Sequence, residues 1–242
     1  MRELHLPTFR ECFEELARRA VQETSSYEQY LLELAERECQ ARWTKRTERL
    51  LRQSRLPLEK DLASFEMGRL PAKVARQVRT LVEGSFVDRR ENLLLFGKTG
   101  TGKTHLLSAI AQELVRSGRK VISSPCALLV QELLVAKRDL KLSRVLKRLS
   151  KYEVLLIDDI GYVQQSREEM EVLFTLLADR YERGTVMLTS NLPFSKWEAI
   201  FKDPMTTAAA IDRLVHHSVI LELNIPSYRL EEAKRTKGKE AA

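Results

Sequence analysis

The chain has 242 residues, 43% of them hydrophobic and 31% charged, which is long and apolar enough to bury a substantial core. Lysine and arginine outnumber aspartate and glutamate by 41 to 34, and the resulting charge of +7 favours polyanionic partners such as nucleic acid. The scattered cysteines, Cys12, Cys39 and Cys126, lack the spacing of a disulfide framework or a zinc site. No apolar run is long enough for a membrane span, and acids interrupt the N-terminus where a signal peptide needs an apolar core. We therefore expect a globular protein of the cytoplasm.

Residues 1–66 have the periodicity of amphipathic helices. Thr8 and Glu11 have the spacing of a capping box, and apolar residues follow on one helical face. Ser25 and Glu28 repeat this signal before a second apolar face, which runs into a basic stretch and ends at a proline. These patterns predict a small all-helical N-terminal domain over residues 1–66.

From residue 67 onward, short apolar runs alternate with helical segments of ten or more residues. The runs are NLLLF, KVISS, EVLLIDD, VMLTS and VILEL. Strands interleaved with helices are typical of a parallel sheet that is covered on both faces. Residues 67–242 are therefore predicted to form an α/β domain around a five-stranded parallel sheet flanked by helices.

The segment GKTGTGKT fits the phosphate-loop pattern G-x-x-x-x-G-K-[ST], and it lies between an apolar run and a helical segment, as that pattern requires. Its glycines let successive backbone N–H groups turn toward a phosphate, and the helix N-terminus adds partial positive charge. The alternative is a glycine-rich turn that contains a lysine by chance, and the flanking elements argue against it. The candidate nucleotide-binding residues are Gly97, Lys98, Thr99, Gly100, Thr101, Gly102, Lys103 and Thr104.

Within this loop, Lys103 is expected to reach the β- and γ-phosphates and the Thr104 hydroxyl to coordinate Mg²⁺. The run VLLIDD ends in Asp158 and Asp159, at the sheet edge where parallel strands would also place the phosphate loop. Asp158 is a candidate magnesium ligand, and Asp159 a candidate base for an attacking water. The alternative is that both acids only cap the following turn.

Two further polar residues are candidates for the same chemistry. Asn191 follows the run VMLTS, where an amide could hydrogen-bond the attacking water, although an ordinary strand-end turn is the alternative. Arg213 lies on a predicted helix beside an aspartate, so it is either a salt-bridged surface group or an arginine finger for a neighbouring subunit.

Together these motifs resemble the IstB family of transposition helper ATPases, which is similar to the DnaC helicase loaders of the AAA+ class. The resemblance covers nearly the whole chain and depends on FGKTGTGKTHLLSAIA, VLLIDDIGYV, LTSNLPFSKWEAIF and AIDRLVHHS. It implies an AAA+ P-loop fold with ATP and Mg²⁺ as cofactors. By this resemblance, residues 97–104 match Walker A, Asp158 and Asp159 match Walker B, Asn191 matches sensor I and Arg213 matches the arginine finger.

The resemblance also implies partners. Such proteins form homo-oligomers on double-stranded DNA with ATP at the subunit interfaces, and they help a partner transposase to capture its target. In two respects this chain departs from the wider AAA+ pattern. Asp159 stands where most members have Glu, which predicts slow hydrolysis, and too few residues follow Leu223 for a full helical lid. Arg229 is only a weak candidate for the sensor II arginine.

Two basic regions are candidate DNA contacts. The first combines a cationic helical face with an opposing apolar one, and its candidate residues are Lys137, Arg138, Lys141, Arg144, Lys147 and Arg148. The second, residues 42–55, has several arginines near Trp43, and it suits DNA or a partner protein equally well. For either region the alternative is an ordinary solvated helix face.

The sequence thus predicts an ATP-dependent, DNA-binding transposition helper with ATPase activity. One alternative function is a replicative helicase loader like DnaC, which would use the same nucleotide site with a helicase as its partner. Another is a small-molecule kinase, which would transfer the phosphate to an acceptor, but no second substrate pocket or closing lid is evident.

Overall fold

The computed structural model describes residues 3–161, 166–198 and 204–231. It divides the chain into two compact units, Met1–Leu50 and Leu51–Ala242. Residues 51–66, which were predicted to belong to the helical domain, therefore lie within the second unit. Among the described residues, no helix is both long and apolar enough to cross a membrane.

The first unit consists of two helices, α1 (Pro7–Gln22) and α2 (Tyr27–Ser54), the second of which continues past the unit boundary. Leu16 on α1 and Leu34 on α2 are buried, and the Tyr30 hydroxyl of α2 donates to the backbone oxygen of Phe13 at 3.1 Å. The prediction of a helical N-terminal region is confirmed.

The predicted capping box of α1 is wrong. Leu6 caps the helix without a side-chain hydrogen bond, and the free backbone N–H groups of Thr8 and Phe9 instead donate to the Glu38 carboxylate, at 2.8 and 3.3 Å. A residue of α2 thus accepts the hydrogen bonds of the free N–H groups in the first turn of α1. The local sequence around α1 does not reveal this long-range cap.

The second predicted cap is displaced by one residue. The backbone N–H of Ser26 donates to the Gln29 side chain at 2.9 Å, and the Gln29 N–H donates to the Ser26 hydroxyl at 3.3 Å. Ser26 and Gln29 therefore make the reciprocal cap expected of Ser25 and Glu28.

The second unit is built on one parallel sheet with the strand order β2-β3-β4-β1-β5. Its strands are β1 (Asn92–Gly97), β2 (Val121–Pro125), β3 (Val154–Ile160), β4 (Thr185–Ser190) and β5 (Ser218–Leu223). Its helices are α3 (Ala72–Val82), α4 (Ser85–Asp88), α5 (Lys103–Arg116), α6 (Cys126–Arg138), α7 (Leu142–Leu149), α8 (Arg167–Arg180) and α9 (Pro204–Val215). Two short 3₁₀ helices cover Met67–Arg69 and Phe194–Lys196. The predicted five-stranded α/β fold is confirmed.

The core of this unit lies on both faces of the sheet, which explains the unbroken apolar runs of its strands. Leu94 at the middle of β1 pairs with Leu188 of β4 and Ile220 of β5, and Leu94 is fully buried. Burying one such side chain contributes about 1.5–3 kcal/mol relative to exposure. Because the strands are parallel, their carboxyl ends share one edge, and the loop between β1 and α5 lies there.

Candidate functional site

The phosphate loop, residues 97–104, has the backbone shape that its glycines permit. Gly100 and Gly102 have φ angles of +81° and +90°, in the left-handed region. A Cβ at Gly100 would lie 2.1 Å from the Ser227 hydroxyl oxygen, and one at Gly102 would lie 3.2 Å from the Phe65 ring. Thr101 closes the loop, since its hydroxyl donates to the Lys98 carbonyl at 2.9 Å. Backbone conformation and close neighbours both favour glycine at positions 100 and 102.

Lys103 is held inside this loop. Its side chain is buried, and its ammonium group donates to the Lys98 carbonyl at 3.0 Å. Burial lowers the pKa of Lys103, while the negative charges of Asp159 and Asp158 act in the opposite direction. An ammonium group with so few partners is well placed to bind an incoming phosphate oxygen.

Two hydroxyl groups, one from the start of α5 and one from β4, donate to the Asp158 carboxylate near the end of β3. Thr104 donates to Asp158 Oδ1 at 2.9 Å, and Thr189, which is fully buried on β4, donates to the same oxygen at 2.6 Å. Thr104 and Asp158 thus present a hydroxyl and a carboxylate oxygen to one point beside the phosphate loop. This hard oxygen donor set fits Mg²⁺, which binds proteins through few oxygen ligands and keeps the phosphates as others.

Asp159 lies on an irregularity of β3, where the register with β4 shifts between Ile157 and Ile160. Its φ is +66°, and its backbone N–H donates to the Thr189 hydroxyl at 2.7 Å. Partial burial and then the charge of Asp158 raise the pKa of Asp159, whereas Lys103 and Arg229 lower it. The Asp159 carboxyl group is therefore more basic than an ordinary aspartate, as a proton acceptor for water requires.

Asn191 directly follows β4, at the same edge and between β1 and β3. Within the part of the chain that the structure describes, its side-chain oxygen Oδ1 is buried and has no hydrogen-bond partner. A buried acceptor without a donor is costly in a folded protein, so a hydrogen-bond donor that reaches this oxygen would stabilise it.

A cavity of about 430 Å³ opens onto the phosphate loop and is lined by two segments that the motifs did not predict. The first contributes Lys60, Ser64, Phe65, Glu66 and Arg69, and the second contributes Ile225, Tyr228 and Arg229. Arg229, a weak candidate by sequence, lies in this wall, and its charge adds to the lowering of the Lys103 pKa by burial and offsets part of the rise in the Asp159 pKa.

Side chains of α5 hold the first of these segments in place. The Gln112 amide is buried and donates to the carbonyls of Pro57 and Lys60, each at 3.0 Å. His105 Nε2 lies 2.9 Å from the Asp61 carbonyl oxygen, and its ring packs edge-on against Phe65 at 5.2 Å between centroids. The helix that starts at the phosphate loop therefore also fixes the opposite wall of the cavity.

The structure does not bring Arg213 to this site. Arg213 is in the last turn of α9, and β5 then starts beside Asn92, at the amino end of the strands. Its guanidinium donates to the Ala209 carbonyl at 3.0 Å and lies 4.8 Å from the centroid of the Phe174 ring. Arg213 is thus at the opposite edge of the sheet from the phosphate loop of its own chain.

His216, His217 and Glu182 meet at that opposite edge, with their possible ligand atoms within 4.8 Å of one another. All three side chains are exposed, and the His216 ring also contacts the Tyr181 hydroxyl at 2.9 Å. Arginines line the neighbouring cavity, including Arg213, and their charge opposes the binding of a cation.

The candidate DNA contacts are divided between two helices rather than one. Lys137 and Arg138 end α6, Leu140 has a φ of +58° in the break, and Lys147 and Arg148 lie on α7. Four of the six candidates pair with acids, three of them with acids outside the basic region, in the ion pairs Lys137–Glu171, Arg138–Glu168, Lys141–Asp139 and Arg148–Glu132. Arg144 and Lys147 are exposed and have no ion pair within the described residues.

The sequence of this chain is similar to those of known ATP-binding proteins. Residues 1–236 match the sequence profile of the family described as IstB-like ATP binding protein. An insertion sequence ATP-binding protein of Sinorhizobium fredii is 40% identical, over 100% of this chain and 83% of that protein. The ATP-binding protein of insertion sequence IS21 from Pseudomonas aeruginosa is 37% identical, over 92% of this chain and 84% of that protein.

Solved structures resemble this chain in fold. The DnaC helicase loader superposes with a TM-score of 0.58 at 17% identity, over 69% of this chain and 97% of that chain. AMPPCP-bound DnaA from Aquifex aeolicus superposes with a TM-score of 0.56 at 20% identity, over 77% of this chain and 56% of that chain. These likenesses confirm the predicted AAA+ P-loop fold, and at such low identity they extend no further than the fold.

Proposed function

Since this chain belongs to the IstB-like family of ATP-binding proteins, we propose that it is an ATP-dependent, DNA-binding helper of transposition. It oligomerises on double-stranded target DNA in the cytoplasm, with ATP at each subunit interface, and it recruits or stimulates a partner transposase. Magnesium-dependent hydrolysis of the ATP then drives disassembly or the selection of a target.

The observation that carries the hydrolytic part of this proposal is the convergence of three strand ends on the phosphate loop. Lys103 binds the phosphate oxygens, while Thr104 and Asp158, whose oxygens are 2.9 Å apart, would hold a magnesium ion. The ion would neutralise charge on the phosphates when bound. These residues position the triphosphate with its terminal phosphate toward Asp159.

Asp159 and Asn191 act on the water that attacks this phosphate. The Asp159 carboxylate accepts a proton from the water, and its raised pKa makes that acceptance easier. The unpartnered Oδ1 of Asn191 accepts the second hydrogen of the same water and so orients its lone pair. The Asp159 side chain is shorter than the Glu that most AAA+ members have at this position. It therefore holds the attacking water less tightly, and the expected turnover is slow.

Arg213 completes the site of a neighbouring subunit. It lies at the sheet edge opposite its own phosphate loop, so it stabilises the transition state only on a nucleotide bound to another chain. To do so, the Arg213 guanidinium must leave the Phe174 ring. Losing that contact costs free energy, which only binding to the nucleotide of a neighbour offsets. This arrangement would couple hydrolysis to assembly.

Arg144 and Lys147 contact the DNA backbone in this proposal. Four of the six basic candidates already pair with acids, so these two exposed cations have the most electrostatic energy to gain from phosphate. Arg144 and Lys147 line one surface cavity, in which Lys141 and Arg148 are paired with the acids Asp139 and Glu132. Such contacts bind DNA with little dependence on base sequence.

Analytical ultracentrifugation with duplex DNA and MgATP tests the assembly. Wild-type protein is expected to sediment as a large DNA-bound oligomer only when ATP is present, whereas Lys103→Ala is expected to lose both nucleotide binding and assembly. A wild-type chain that stays monomeric with ATP and DNA would refute the proposal. Pull-down with an insertion-sequence transposase tests the partner separately.

A mixing experiment tests whether Arg213 acts on a neighbour. Arg213→Ala and Asp159→Asn are each expected to be inactive in ATP hydrolysis, but for different reasons. Mixed oligomers contain interfaces that combine an intact Asp159 with an intact Arg213 from the other variant, so the mixture should regain part of the activity. A mixture as inactive as its components would show that Arg213 does not act between subunits.

A charge-reversal pair tests the DNA surface. The double variant Arg144→Glu/Lys147→Glu is expected to reduce the slope of log affinity against log salt by about 2, because two phosphate contacts are lost. The control is Lys137→Glu/Arg138→Glu, which changes the net charge equally at two positions that are already ion-paired. Equal effects of the two pairs would mean that overall charge, rather than this surface, governs DNA binding.

A further inference from the structure

The segment 225–231 is held against the phosphate loop by its own backbone. The Tyr228 N–H donates to the Gly100 carbonyl oxygen at 2.9 Å, and Ser227 packs so closely on Gly100 that no side chain fits there. Arg229 follows directly and lines the nucleotide cavity. The position of Arg229 therefore depends on whatever fixes this short segment.

Arg69 fixes the segment from its other side. Its guanidinium donates to the Pro226 carbonyl at 3.1 Å and to the Glu231 carboxylate at 2.7 Å, and it lies 5.1 Å from the centroid of the Tyr228 ring. These three contacts bracket Arg229 along the chain. Only 21% of the Arg69 side chain is exposed, so solvent competes less for these contacts than it does at an open surface pair.

Arginine is the side chain that this arrangement requires. Its planar guanidinium carries several donors in fixed directions and also stacks on an aromatic ring, whereas the lysine ammonium is a single point charge. Arg69 lies in the 3₁₀ helix just before α3 and belongs to the wall formed by residues 60–69. It therefore joins one wall of the cavity to the segment that bears Arg229.

We propose that Arg69 is a positioning residue, which holds segment 225–231 over the phosphate loop and thereby fixes Arg229 beside the terminal phosphate of bound ATP. This inference rests on the proposed nucleotide site. Because Arg69 also lines the cavity, a direct contact with the nucleotide is the competing explanation. The two explanations differ in whether the effect of Arg69 requires Arg229.

Equilibrium binding of a fluorescent N-methylanthraniloyl ATP, with the matching ADP as comparison, separates them. Arg69→Ala and Arg229→Ala are each expected to weaken ATP binding by about tenfold, which is typical of losing one charge-assisted contact, and to weaken ADP binding less. The double variant Arg69→Ala/Arg229→Ala is expected to bind no more weakly than Arg229→Ala alone. If the two losses multiply, to about a hundredfold, Arg69 acts independently and the inference is overturned.

The partner side of the ion pair gives a second test that does not alter Arg69. Glu231→Gln should weaken ATP binding in the same direction by a smaller factor, and the swap Arg69→Glu/Glu231→Arg should recover affinity relative to Arg69→Glu alone. Arg89→Ala is the control, since Arg89 pairs with Glu91 at 2.8 Å at the opposite edge of the sheet. Absence of rescue by the swap would count against the pair as the means of positioning.

These outcomes also distinguish this inference from the proposed function. If wild-type protein binds neither nucleotide, the proposed function and the inference are both overturned. If wild-type protein binds ATP and Arg69→Ala binds it equally well, with an unchanged melting temperature, only the role of Arg69 is overturned.

Discussion

The Thr189 hydroxyl offers a sharp test of how the site is held together, because this one group links both acids. It donates to Asp158 Oδ1 at 2.6 Å and accepts from the Asp159 N–H at 2.7 Å, in a fully buried position on β4. Thr189→Val removes the hydroxyl while keeping the shape of the side chain. The change should therefore act on hydrogen bonding rather than on packing.

The expected cost follows from the two bonds. A hydrogen bond to a charged carboxylate contributes about 1.5–3 kcal/mol, and a buried N–H left without a partner costs about 1–3 kcal/mol. Asp159 is partly exposed, so relaxation around it recovers part of the summed cost of these two hydrogen bonds. We therefore expect Thr189→Val to reduce the free energy of unfolding by about 3 kcal/mol. Misplacement of both acids should also reduce ATP turnover by at least about tenfold.

Thr185→Val is a matched control on the same strand. Thr185 is also fully buried, but within the described residues its hydroxyl has no hydrogen-bond partner. Removing it therefore relieves a desolvation cost, and Thr185→Val should be neutral or stabilising by about 1 kcal/mol. The changes in the free energy of unfolding caused by Thr189→Val and Thr185→Val should thus have opposite signs or differ by several kcal/mol.

Urea unfolding monitored by Trp197 fluorescence measures this difference, because Trp197 is fully buried in the second unit. A Trp43→Phe background removes the signal of the first unit, and an unchanged m-value is required for the comparison. If Thr189→Val and Thr185→Val have the same unfolding free energy within about 0.5 kcal/mol, the reasoning about the bridging hydroxyl is refuted.

Two further predictions concern the electrostatics and the shape of the loop. Burial raises the pKa of Asp159, and the charge of Arg229 opposes that rise. The acid limb of the pH profile of kcat/KM should therefore lie above the ordinary aspartate range, and Arg229→Ala should move this limb to still higher pH. A limb that Arg229→Ala does not move would exclude Asp159 as the titrating base. Gly100→Ala should weaken ATP binding, because a Cβ there meets Ser227 and the φ of +81° costs an alanine about 1–2 kcal/mol. Adding Ser227→Ala should recover part of that loss in the same titration, and full recovery would argue that backbone strain is unimportant at position 100.

The sequence predicted those parts of the site that are contiguous in the chain. A phosphate loop is built by consecutive residues between one strand and one helix, so its pattern alone specifies residues 97–104. The position of Asp158 and Asn191 at this edge was predictable for a related reason, since residues at the ends of parallel strands share one sheet edge whatever the order of the strands. The five strands themselves were evident because each is an unbroken apolar run.

The remaining parts depend on contacts between residues that are distant in sequence. Arg69 and Glu231 are 162 residues apart, and Gln112 reaches back 55 residues to Pro57, so no local pattern links either pair. The same reason explains the wrong capping box, since Glu38 reaches the start of α1 from another helix.

The basic surface shows the same limit. Counting charges along residues 137–151 suggests a uniformly cationic face, but Glu168 and Glu171 of α8 and Glu132 of α6 neutralise part of it. The electrostatic potential of a helix face depends on the helices packed beside it, and the sequence alone does not show which these are.

In the proposed function, hydrolysis requires assembly because the two ends of the sheet are too far apart for Arg213 to act on its own phosphate loop. β1 has six residues, and at about 3.3 Å per residue its five steps separate Asn92 from Gly97 by roughly 17 Å. An arginine side chain anchored beside Asn92 cannot cross that distance to its own phosphate loop. In the proposed function, one chain therefore provides the magnesium site, the base and the water-orienting amide at one edge, and a transition-state cation at the other. If Arg213 is required for hydrolysis, the reaction needs two copies in contact, and DNA that aligns copies would accelerate it without touching the nucleotide.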